Sequence, residues 1–179
     1  MTPLPGLLAP RRPITAWRVD AVGYAPTWDS GIGSEMAGGR WNPKGLKVVY
    51  CSFDPATTIL ESAVHRGFAV LDGLPFVLTS MVIDDPASLK VFLPADIPNP
   101  AWLHGGIPSA GQQAWGASQL DAHTFVVLPS VVSKLSWNVV FRPDRAAGRY
   151  AKLEQDRLAG MPPATHDAGP IQSTIQQTQ

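Results

Sequence analysis

One stretch of this chain, residues 54–67, carries a full set of helix signals, while nearly all other regular patterning reads as strand. Asp54 offers an N-cap acceptor, Pro55 takes the first helical position and Gly67 closes the helix. On it Ile59, Leu60, Ala63 and Val64 form an apolar stripe, and Glu61 shares a neighbouring face with Thr57, Thr58 and His65. Runs of β-branched and aromatic residues predict strands over 16–22, 47–52, 76–83, 91–93, 124–128, 138–141 and 150–153. A second helix is expected over 110–120, weakened by Gly116. Strands that outnumber helices, without regular alternation, point to an α+β fold with a mixed or mainly antiparallel β-core and a few helices.

A chain of 179 residues is long enough for one domain with its own core. The expected division is a Pro-punctuated lead-in over 1–15, a folded domain over 16–159 and a disordered Pro-, Gln- and Thr-rich tail over 160–179. A formal net charge of zero argues against binding to nucleic acid or an anionic membrane surface. No run approaches the ~20 apolar residues that span a bilayer, and Arg11 and Arg12 follow the apolar N-terminal stretch instead of preceding it, so a cytoplasmic location is expected. Cys51 is the one cysteine, which excludes an internal disulfide. With His65, His104, His123 and His166 scattered, no metal site is predicted.

The place to look for chemistry is the polar, glycine-rich stretch 23–45, which reads as one long loop. Within it Gly38-Gly39-Arg40 combines backbone that can approach a ligand closely with a planar guanidinium suited to phosphate. No Gly-Lys-Ser/Thr follows, so it is not a Walker loop. Taken singly, the other candidates are ordinary. Glu61 could be a solvated helix residue, Tyr50 a core aromatic, and Ser130 after Pro129 a turn residue.

Their order along the chain is more specific. Trp17-Arg18 is followed by Ser34, then Gly38-Gly39-Arg40-Trp41-Asn42-Pro43, Val49-Tyr50, Leu60-Glu61, Leu128-Pro129-Ser130 and Trp137-Asn138. This set resembles the RES-domain family, bacterial toxins that destroy NAD⁺ and pair with Xre-type antitoxins. Arg40, Glu61 and Ser130 match the three residues that name the family, and Arg18, Tyr50 and Asn138 match further positions of its site. Asp156-Arg157-Leu158 resembles the family's usual ending. Residues 85–111 follow no pattern of the family, and Phe141-Arg142-Pro143 stands where an asparagine-proline usually follows.

The resemblance implies an ADP-ribosyltransferase-like fold, a split mixed β-core with NAD⁺ in its cleft. It implies NAD⁺ as substrate, no prosthetic group, no metal, and an Xre-type antitoxin as partner. Glu61 would stabilise the oxocarbenium-like transition state. Arg40, with Gly39 and Arg18, would bind pyrophosphate or incoming phosphate. Tyr50 would orient the nicotinamide ring, while Ser130 and Asn138 would align the substrate. Water, inorganic phosphate and a protein side chain all remain open as acceptor, giving a glycohydrolase, a phosphorylase or an ADP-ribosyltransferase. A catalytically inactive antitoxin-binding module, or a different phosphate-binding sugar or nucleotide enzyme, are the alternatives.

Overall fold

The computed structural model describes residues 13–158, apart from 104–107 and 134. The expected tail over 160–179 and most of the lead-in lie outside the described residues. The lead-in ends earlier than expected, because the first strand, β1, runs Ile14–Ala21. The others are β2 (Val49–Ser52), β3 (Phe76–Ile83), β4 (Leu89–Val91), β5 (Phe125–Pro129), β6 (Trp137–Phe141) and β7 (Tyr150–Leu158). They form one seven-stranded sheet in the order β4-β5-β6-β2-β1-β3-β7. Only β4 and β5 pair parallel; every other neighbouring pair is antiparallel. The expected α+β architecture with a mixed sheet is therefore present.

β7 runs on to Leu158, well past the predicted 150–153, and pairs along the whole of β3 from Ile83↔Tyr150 to Phe76↔Leu158. Its solvent-facing Lys152, Glu154, Asp156 and Arg157 mask the strand pattern and guard an edge against pairing with another chain. Inside the opposite edge strand the reverse holds. β5 is buried at every position, because both faces of the sheet are covered there.

Among the described residues five α-helices connect the strands: α1 (Ile32–Ala37), α2 (Pro55–Arg66), α3 (Phe68–Gly73), α4 (Ala110–Ala122) and α5 (Pro143–Ala146). The stretch 23–45 is thus not one unstructured loop. It holds most of a 3₁₀ turn (Val22–Thr27), then α1, then an isolated bridge between Gly39 and Asn42. Helices of six residues or fewer, such as α1, α3 and α5, complete too few turns to show a 3.6-residue period in sequence.

α2 forms where its caps predict. The Thr57 N–H donates to Asp54 Oδ1 at 2.7 Å, and Gly67 takes φ 89° beyond the last turn. The face it buries differs from the expected stripe. Val64 is 58% exposed and Ile59 and Leu60 are only partly buried, whereas Thr57, Thr58 and Ala63 are buried. Thr58 Oγ1 donates to the Trp17 carbonyl of β1 at 2.9 Å. The sheet at this point offers a backbone acceptor, and the helix answers with its threonine–glutamate side.

Side-chain alternation divides the core into two layers. Val49, Cys51, Val127, Val139 and Phe141 pack on one face of the sheet with Trp28 and Ala146. Val48, Val126, Leu128 and Val140 pack on the other with Trp41, Trp102 and Leu120. β1 and β2 meet at a single register pair, Trp17↔Ser52, so the sheet is nearly split between β4-β5-β6-β2 and β1-β3-β7. No helix among the described residues is long and apolar enough to cross a membrane.

Candidate active site

The same alternation that builds the core sets the floor of the site. With Val49 and Cys51 turned to one layer, Tyr50 and Ser52 of β2 face the other; with Val139 turned away, so does Asn138 of β6. Ser130 follows β5 on the face of Leu128. α2, lying over β1 and β2, brings Glu61 down onto this floor.

There Glu61 Oε1 accepts two hydrogen bonds, from Ser130 Oγ at 2.8 Å and from Asn138 Nδ2 at 2.7 Å. Ser130 is wholly buried, and its oxygen accepts from the Val132 and Ser133 N–H groups, both at 3.2 Å. It is both the turn residue that its place after Pro129 suggests and a donor to the carboxylate. The other carboxylate oxygen, Oε2, lies 3.8 Å from Nε2 of His65, one helical turn on and largely exposed. Among the described residues no cluster of His, Cys, Asp and Glu could hold a metal ion. Cys51, buried in the opposite layer, has its thiol pushed up to about 12 by burial and is inert as a nucleophile.

Arg40 enters from the Gly38–Asn42 loop. Gly38 sits at φ 74°, where a side chain would strain the backbone. Gly39 is required for another reason: a Cβ there would stand 2.5 Å from the Tyr50 hydroxyl and 2.7 Å from Asn42 Oδ1. The gap left by Gly39 is therefore filled by the loop's own anchor and not by a ligand. Tyr50 Oη donates to Asn42 Oδ1 at 2.6 Å and accepts from the Trp41 N–H at 3.1 Å. From the other side α4 supplies Gln113 Nε2 to the Gly39 carbonyl at 2.8 Å and Gln112 Nε2 to the Arg40 carbonyl at 3.4 Å. The Arg40 guanidinium donates Nη1 to the Trp102 carbonyl at 2.9 Å. Burial holds its pKa below the ordinary arginine range, and the charge of Glu61 works against that shift, so the two groups belong to one electrostatic site. A cavity of about 320 Å³ lined by Pro98, Pro100, Ser109, Gln112 and Trp115 reaches this loop through Gln112.

Two of the expected site residues also make contacts within the fold. Arg18 forms a two-pronged pair with Asp20 (Nε–Oδ2 2.8 Å, Nη2–Oδ1 2.7 Å) and donates Nη1 to the Tyr50 carbonyl at 3.1 Å. Its charge is matched by a buried carboxylate on its own strand. Tyr50 spends its hydroxyl inward, on the loop, and burial pushes that hydroxyl's pKa upward, keeping it a neutral donor. Tyr50→Phe should therefore cost about 1–3 kcal/mol, since it strands a buried amide oxygen and a backbone N–H. Urea unfolding measures this; a loss under about 0.5 kcal/mol would show that the loop is held without the hydroxyl.

The residues that sequence reasoning left without a role are those that hold the loop. Asn42, fully buried, donates Nδ2 to the Ser34, Pro43 and Leu46 carbonyls at 3.2, 2.9 and 3.2 Å. Gln112 and Gln113 carry no spacing that marks them out. Gly116, in the middle of α4, does carry a signal: a glycine inside a helix can mark a close approach, and here the approaching group is the Trp41 backbone.

The RES domain family matches residues 15–159. The chain is 31% identical over 152 residues to the "Prs ADP-ribosylating toxin" of Sphingobium sp. (strain YBL2), covering 79% of this chain and 89% of that protein. It is 28% identical over 122 residues to "Toxin Res" of Yersinia enterocolitica serotype O:8 / biotype 1B, covering 66% and 76% respectively. Among solved structures it is similar to a chain of the M. tuberculosis MbcT–MbcA toxin–antitoxin complex, with a TM-score of 0.67, 20% identity, and coverage of 88% of this chain and 94% of that one. The matched span and the 31% identical relative make this chain a member of the RES-domain family.

Proposed function

We propose that this protein cleaves the nicotinamide–ribose bond of NAD⁺ and acts as the toxin of a toxin–antitoxin pair, held in check by an Xre-type antitoxin in the cytoplasm. The observation that carries the chemistry is Glu61: one carboxylate oxygen is pinned by Ser130 and Asn138, and the same carboxylate is coupled to the charge of Arg40. Such an arrangement suits a reaction in which the C1–N bond of the nicotinamide ribose breaks, its electron pair leaves with nicotinamide, and positive charge develops on the ribose. A fixed negative charge beside that ribose stabilises the transition state more than the ground state. Arg40 would bind the pyrophosphate or an incoming phosphate. Ser130 and Asn138 hold Glu61 in place and add polar surface for the ribose.

The acceptor then decides the product. Water gives ADP-ribose and inorganic phosphate gives ADP-ribose-1″-phosphate. A protein side chain gives a modified protein, the second reading, which is favoured by the name of the 31% identical relative. The purified protein is expected to release nicotinamide from NAD⁺. Product analysis with and without inorganic phosphate, and with labelled NAD⁺ in a cell extract, separates the three outcomes. Intact NAD⁺ in all of them, with folded wild-type protein, would leave the inactive antitoxin-binding module as the better reading.

A further inference from the structure

We propose that Ser52 is a positioning residue for Glu61, acting through the side-chain amide of Asn138. The two donors that hold Glu61 Oε1 are anchored differently. Ser130 is fixed by backbone: its oxygen accepts from the Val132 and Ser133 N–H groups, which leaves its one hydrogen for Glu61. Among the described residues no backbone N–H anchors the amide oxygen of Asn138. That oxygen accepts from Ser52 Oγ at 2.7 Å, while Nδ2 donates to Glu61 at 2.7 Å.

The geometry comes directly from strand register. Ser52 and Asn138 are paired across β2 and β6, so their side chains stand side by side on the site face. Ser52 is 3% exposed, and it lies at the seam where β1 and β2 meet only once. A rotated Asn138 amide would turn its oxygen against the Glu61 carboxylate, acceptor against acceptor. The Ser52 hydroxyl favours the productive orientation by supplying a donor where the amide oxygen belongs. Among the described residues the hydroxyl's hydrogen bond goes to Asn138, with none to Glu61 or the Arg40 loop, so its effect on the reaction passes through Asn138. The kinetic consequence rests on the reading of Glu61 as the carboxylate beside the reacting ribose.

The test compares wild type, Ser52→Ala, Ser52→Thr, Asn138→Ala and the Ser52→Ala/Asn138→Ala double variant. Nicotinamide release is expected to show kcat of Ser52→Ala lowered about tenfold with KM unchanged, as for lost partners of other site ligands. Ser52→Thr, which keeps the hydroxyl, should recover most of the rate. The double variant should be no slower than Asn138→Ala alone, the signature of two residues acting in series. In parallel, the NMR signals of the Asn138 amide, identified by their loss in Asn138→Ala, should exchange slowly with solvent in wild type and Ser52→Thr, and quickly in Ser52→Ala. Wild-type kcat in Ser52→Ala, or losses that multiply in the double variant, would overturn the proposal. If wild-type protein releases no nicotinamide, it is the reading of Glu61 that falls. The amide exchange then decides Ser52 alone: acceleration in Ser52→Ala sustains its hold on Asn138, and unchanged protection ends it.

Discussion

Glu61→Gln is expected to lower nicotinamide release about a thousandfold, or about 4 kcal/mol of transition-state stabilisation, while the protein stays folded. Glutamine keeps the shape of the side chain and an oxygen for Ser130 and Asn138, so the contacts seen at 2.8 and 2.7 Å survive. What it removes is the negative charge. At a surface-like effective dielectric, a unit charge about 4 Å from a developing cation is worth about 4 kcal/mol, which sets the size of the loss. The contact to His65 adds little to stability, since the histidine side chain is 60% exposed. Urea unfolding of the variant should therefore lie within about 1 kcal/mol of wild type. Initial rates with NAD⁺ make the comparison. A variant retaining more than about a tenth of the wild-type rate would show that the carboxylate is not the group that stabilises the ribose cation.

How far the sequence led depends on whether each residue's signal was local. α2 was legible because its caps, Asp54-Pro55 and Gly67, act within one turn of the chain. Its buried face was not, because the choice between the Leu60 side and the Thr58 side is made by what the sheet presents, in this case the Trp17 carbonyl. The sheet interior read well for a similar reason: the apolar, β-branched and aromatic make-up of Phe76–Ile83 is itself a local strand signal. β7 read poorly because its partner is 67 or more residues away in sequence and its own side chains face water. At the site, the ordered motifs named Arg40, Glu61, Ser130 and Asn138, and the fold brings all four to one face of the sheet. The motifs did not separate groups that face a substrate from groups that hold the others. Tyr50 and Gly39 help to hold the loop, since the hydroxyl of one fills the space left by the other.

Arg18 has a partner that the sequence already shows. Asp20 lies two residues on, and in a strand that spacing places two side chains on the same face. The bidentate pair that results makes Arg18 a strut between β1 and the Tyr50 carbonyl of β2, bracing the seam at which the sheet nearly divides. The zero net charge of the chain therefore hides an uneven distribution of roles: one site arginine is paired within its own strand, while the other is coupled to the carboxylate in the cleft.

The second large effect is expected from Gly116→Ala, a change that would ordinarily stabilise a helix interior by about 1 kcal/mol. Here the added Cβ would collide with the Trp41 carbonyl oxygen and stand 2.8 Å from its carbonyl carbon and Cα. The obstacle is backbone, and it cannot easily move aside. The Trp41 ring is buried against Trp102 and Trp115, its N–H is bound to Tyr50, and Gln112 and Gln113 hold the carbonyls of the two residues before it. Either α4 lifts from the loop or the loop shifts as a unit and carries Arg40 with it. A net loss of about 2 kcal/mol is expected, lowering Tm by roughly 4–8 °C, with nicotinamide release falling in the same variant. Gly111→Ala is the control, because a Cβ at that position of the same helix meets nothing within 4 Å; it should leave Tm unchanged or raise it. If Gly116→Ala also raised Tm, the contact between α4 and the Trp41 backbone would be soft. Arg40 would then owe its place to Tyr50 and Asn42 and not to the helix packed behind it.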